Sequence, residues 1–76
     1  MNTLSIQAKF GKTIALIRNE KGISQEALAH RCGFDRTYLS GIERGKRNLS
    51  IKNIDRLAYS LEMPISELFI QVEKSC

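Results

Sequence analysis

The chain has 76 residues, enough for one domain and too few for two, and at that size a hydrophobic core is marginal. Hydrophobic residues make up 42% and charged residues 26%, which excludes a disordered polar tail, and no apolar run approaches the roughly 18 residues needed to span a bilayer. A formal charge of +4 and a pI near 9.4 favour an anionic partner such as nucleic acid.

Ile6, Phe10, Ile14 and Ile17 recur at helical spacing and predict a first helix, with Gly22 placed to stop it in the left-handed conformation other residues avoid. Ser24 then offers a side-chain oxygen to the free amides of a second helix, whose apolar positions are Ala27, Leu28 and Cys32 and which Gly33 ends. Asp35 is placed to cap a third helix carrying Leu39 and Ile42 inward, closed by Gly45. Ser50 or Asn48 starts a fourth, with Ile51, Ile54, Leu57, Ala58 and Leu61 on one face and Pro64 preventing its continuation. A short fifth helix, "ISELF", follows. No segment alternates with period two, and no repeat or low-complexity linker interrupts the chain, so the expected fold is all-α, one five-helix domain over residues 1–76.

Between Gln25 and Arg44 the spacing carries more than a helix count. Two helices crossing through a three- or four-residue turn need a small side chain where they approach and a positive φ at the turn. Ala29 and Gly33 fit those needs, and Leu28, Phe34, Leu39 and Ile42 hold the angle. Arg36, Thr37, Tyr38, Ser40 and Arg44 are left on the outside of the third helix. This predicts a helix-turn-helix over about residues 24–44.

The outer residues suit a nucleic-acid groove. Arg36 can set its planar fork of donors on guanine O6 and N7, Thr37 can donate, accept or touch a thymine methyl, and Tyr38 and Ser40 can reach a base edge or a phosphate. Ser24 and Gln25 open a helix whose amides and dipole favour a phosphate, and Arg44, Lys46, Arg47 and Asn48 flank the exit of helix three as further backbone grips. Each has a plainer role as well: Lys46 and Arg47 as solvated cations, Tyr38 as a half-buried packing residue. Glu43 is expected to pair with Arg47 or Arg36 and hold a side chain in place. His30 reads as a surface histidine with no second ligand at metal spacing, and Lys52 and Arg56 as a solvated face. Cys32 is expected to be buried and Cys76 to be a free terminal thiol; neither fits a paired metal spacing, and the expected compartment is a reducing cytoplasm with no cofactor required. No metal cluster or nucleophile–base pair supports an enzyme.

Quoted in order, "SQEALA", a glycine at 33, "YLSGIERGKRN" and "NIDRLAYSLEMPISELF" resemble the Cro/repressor-type helix-turn-helix regulators over nearly the whole chain, and "DRTYLSGIERGKRNLS" is similar more narrowly to the controller proteins of restriction–modification systems. The resemblance implies a dimer with its third helix in the major groove of an operator, activating or repressing transcription. It also implies a contact between Glu26 and RNA polymerase, although His30 stands where the next acidic position is expected. A protein-interaction module of the same fold, such as an antitoxin, stays open as the alternative. One short helix reads few base pairs, so two copies on a pseudo-palindrome are expected. Residues 62–76 are the expected dimerisation region, because Ile65, Leu68, Phe69, Ile70 and Val72 exceed what one short helix can bury inward.

Overall fold

A computed structural model describes residues 4–74. Five helices follow one another: α1 (Ile6–Glu20), α2 (Gln25–Cys32), α3 (Arg36–Glu43), α4 (Ile51–Ser60) and α5 (Ile65–Lys74), with no strand among the described residues. Serine hydroxyls start three of them: Ser5, Ser24 and Ser50 accept from the amides of Ala8, Ala27 and Asn53. Asp35 has the extended backbone of a cap, but its exposed carboxylate makes no capping bond and stays with solvent.

α1 packs on α3 and α5, α2 on α3 and α4, and α4 on α5. The shared core is Phe10, Ile14, Ile17, Leu28, Ala29, Cys32, Leu39, Ile42, Leu57, Ala58, Leu61, Leu68 and Val72. Three apolar positions read as inward are not: Ile6 is 58% exposed, Ile51 is 72% exposed, and Ala27 is also exposed. The first two open their helices, a turn before the face that meets a neighbour begins.

The end of the chain departs most from expectation. α4 stops at Ser60, ahead of Pro64, because Glu62 takes a left-handed φ of 59° and the amides of Glu62 and Met63 close back on Tyr59 and Ala58. Pro64 instead stands just before α5, its carbonyl accepting from the Leu68 amide. That helix continues past "ISELF" to Lys74, because Val72 repeats the inward face of Leu68 one turn later. Leu68 and Val72 are core residues of the protomer, at 0% and 1% exposure, so the single chain already buries them. Phe69 reaches back to Phe10 of α1, ring centroids 5.9 Å apart.

Cys32 is buried, its Sγ 3.9 Å from the carbonyl oxygen of Arg56, whereas Cys76 lies outside the described residues. Burial pushes the Cys32 thiol above its ordinary 9.0, against smaller opposing pulls from the Ser60 hydroxyl and the Arg56 charge. A thiol that ionises more readily in the unfolded chain stabilises the fold below its unfolded value, and that stability is lost as pH rises through the folded value. Urea melts are therefore expected to show stability falling above 9.0, with a smaller fall in Cys32→Ala. An equal fall in both proteins rules out the thiol as its source.

Candidate nucleic-acid interface

The turn between α2 and α3 is set by Gly33, at φ 72° and ψ 27°, where a side chain on Cα would be strained. Its amide and that of Phe34 close on His30 and Ala29, so α2 ends and the chain turns within three residues to Arg36. Leu28, Leu39 and Ile42 bury the inner side of the pair, and Phe34 is half-buried beneath it.

α1 fixes where α3 lies. Gly11 is buried, and a Cβ there would sit 2.0 Å from the carbonyl oxygen of Ile42 and 2.9 Å from the carbonyl carbon of Glu43. Gly45, at φ 74°, approaches Ala8 so closely that its Cβ would be 2.8 Å from the Ala8 Cα. Two helices thus meet backbone to backbone at the carboxy-terminal end of α3. A glycine inside a helix is worth about 1 kcal/mol less than alanine, so Gly11 within the periodic run of α1 signals a close approach that apolar spacing alone does not show.

Beside this contact is a largely buried polar cluster. Glu43 pairs with Arg18 of α1, not with Arg36 or Arg47: Arg18 Nε donates to Oε2 at 2.8 Å and Nη2 to Oε1 at 3.1 Å. The side chains are 13% and 6% exposed for Arg18 and Glu43. Oε1 also accepts from Gln25 Nε2 at 2.9 Å, and Arg18 Nη1 donates to the Ile23 carbonyl at 2.9 Å. Hydrogen bonding to Glu43 raises the pKa of Arg18 further, against the opposing effect of burial. With its carboxylate neutralised behind the helix, the exit of α3 presents an excess of cations.

On the outer side, Gln25, Arg36, Thr37 and Ser40 line one shallow depression between the start of α2 and the face of α3. Arg36 and Thr37 are exposed and Ser40 is half-buried. Tyr38 does not join them. Its hydroxyl accepts from Asn53 Nδ2 at 3.0 Å, its ring meets Phe34 edge-on at 5.0 Å, and the guanidinium of Arg47 lies 5.3 Å above it. Arg47 reaches that stack by crossing Gly41, where a Cβ would be 3.1 Å from Nε. Arg44 and Lys46 are exposed, with Arg44 Nε donating to the Ser40 carbonyl at 3.3 Å. Asn48 accepts from Gln7 of α1, and Ser24 is exposed at its cap. Glu26 stands exposed in the first turn of α2; His30, Lys52 and Arg56 are exposed too. Asn53, Gln7 and Arg18 act in this framework with no local sequence signature, because each meets a partner distant in sequence.

The sequence pattern of the family described as Helix-turn-helix matches residues 14–68. The control protein C.MunI of a Mycoplasma species is 43% identical over 70 residues, covering 91% of this chain and 95% of that one. The crystal structure of the restriction–modification controller protein C.AhdI from Aeromonas hydrophila, 48% identical, superposes with a TM-score of 0.80 over 83% of this chain and 96% of its own. The controller protein C.Esp1396I, solved as a tetramer with its natural 35 base-pair operator, superposes at 0.87 with 40% identity over 95% of both chains. Among the described residues no helix is long and apolar enough to cross a membrane. On this family match and these identities, the chain belongs to the helix-turn-helix DNA-binding regulators, among the controller proteins of restriction–modification systems.

Proposed function

We propose that this protein is the controller of a restriction–modification system: a cytoplasmic regulator, without catalysis or cofactor, that binds a pseudo-palindromic DNA operator as a dimer and sets transcription from it. The observation that carries this reading is the depression shared by Gln25, Arg36, Thr37 and Ser40, in which a helix start suited to phosphate adjoins a helix face suited to base edges. Arg36 is the principal base reader, with Thr37 and Ser40 beside it. Tyr38 supports the reading face and can touch DNA only from its place in the Arg47 and Asn53 contacts. Ser24, Gln25, Arg44, Lys46, Arg47 and Asn48 grip the backbone. Ile65 and Phe69, half-buried on α5 next to exposed Ile70, are what that helix leaves for a second copy. C.Esp1396I, bound to its operator as a tetramer, supports association on DNA.

Selection of binding sites from random DNA is expected to return an inverted repeat, and a single unpaired half-site would remove the dimer from this reading. Arg36→Ala is expected to cost about 1–3 kcal/mol on the selected site and relax one base position. Arg47→Ala is expected to weaken all sequences alike and make the salt dependence shallower by about one unit, as for one phosphate contact. Titrations of both variants on matched and mismatched duplexes at several salt concentrations check this division; equal loss of discrimination in both overturns it.

A further inference from the structure

We infer that Glu43 is a positioning residue for DNA binding: buried away from the outer face, it fixes the Gln25 side chain at the start of α2 and so governs a backbone contact it does not itself make. The inference rests on the reading of Gln25 as a phosphate grip.

A carboxylate is an acceptor only, whereas a glutamine amide carries a donor end and an acceptor end. With Oε1 of Glu43 2.9 Å from Nε2, the Gln25 amide is held with its nitrogen toward the carboxylate, and one N–H of that nitrogen is used. The other stays available to an anion, on an amide that cannot turn over without setting carbonyl oxygen against carboxylate. The carboxylate is itself immobile. Oε1 and Oε2 are both engaged by Arg18, whose remaining nitrogen is tied to the Ile23 carbonyl just ahead of the Ser24 cap. A side chain from the end of α3 therefore connects α1, the α1–α2 turn and the first residue of α2. Glutamine at 43 would both donate and accept, and would leave the Gln25 amide free to present either end.

The charge change works the other way, which makes the test decisive. Glu43→Gln raises the net charge by one from +4 and removes an anion near DNA, so a purely electrostatic or distant role predicts equal or tighter binding. Positioning predicts weaker binding. The measurement is fluorescence anisotropy of the full chain on a labelled random-sequence DNA duplex at low salt, with melting curves confirming that each variant is folded at the assay temperature.

Gln25→Ala is expected to bind about tenfold more weakly, as for one hydrogen bond to a charged acceptor. Glu43→Gln is expected to bind several-fold more weakly, and to add no further loss in the Gln25→Ala background. Where Glu43→Gln alone leaves Arg18 uncompensated and unfolds the chain, the pair Arg18→Met with Glu43→Gln removes both buried charges at unchanged net charge and carries the same comparison. Wild-type or tighter binding by the Glu43 variant, with Gln25→Ala weakened, overturns the positioning role and leaves the grip standing. Losses that simply add in the double variant overturn it too. Wild-type binding by Gln25→Ala overturns the grip itself.

Discussion

Gly11→Ala is expected to destabilise the protein by about 3 kcal/mol or more, the upper end of what overpacking costs, although the same change in an exposed helix stabilises by about 1 kcal/mol. The three atoms nearest the new methyl are all backbone of Ile42 and Glu43, the Ile42 carbonyl oxygen at 2.0 Å, and no rotamer change relieves a clash with backbone. α1 and α3 must move apart along the contact that fixes α3. At about 4–8 °C per kcal/mol for a domain of this size, the melting temperature is expected to fall by more than about 10 °C. A variant melting at or above the wild type shows that the interface has slack the geometry does not suggest.

Arg18→Ala is expected to be comparably severe for a different reason. It leaves the Glu43 carboxylate, 6% exposed, with the Gln25 amide as its one remaining partner among the described residues. Removing one member of a buried ion pair costs about 3–5 kcal/mol, against about 0–1 kcal/mol for an exposed pair. Roughly 4–11 kcal/mol is the whole stability typical of a domain this size, so the variant is expected to be partly unfolded at growth temperature. Urea denaturation gives the number directly, and a loss under about 1 kcal/mol assigns the pair to the surface class.

Both effects fall on residues the sequence only partly identifies. The helix starts at Ser24 and Ser50, the turn at Gly33, and the inner residues Leu28, Leu39 and Ile42 were legible because each follows from neighbours within a turn or two. Glu43 was legible as structural, yet its partner was not. Arg36 and Arg47 lie within reach along the chain, while Arg18 is 25 positions away and reaches Glu43 only after α1 has docked. Leu68 and Val72 show the same limit. An apolar surplus on the last helix reads alike whether α1 and α4 cover it or a second subunit does, and the folded chain covers these two itself. Tyr38, placed among the outer residues by helical spacing, is drawn sideways by Asn53 and Arg47, contacts with no local signature.

The attachment of Tyr38 bears on how such a protein can change its target. Arg36, Thr37 and Ser40 share a depression open to solvent, and the core residues of α3 are elsewhere, so these three can be exchanged with little disturbance to folding. Tyr38 cannot drift so freely. Its hydroxyl is engaged by Asn53 and its ring by Phe34 and Arg47, so a new residue there disturbs α4, the turn before α3 and the cation after it together. Divergence toward new operators is therefore expected to proceed first through positions 36, 37 and 40, with position 38 changing only alongside 47 and 53.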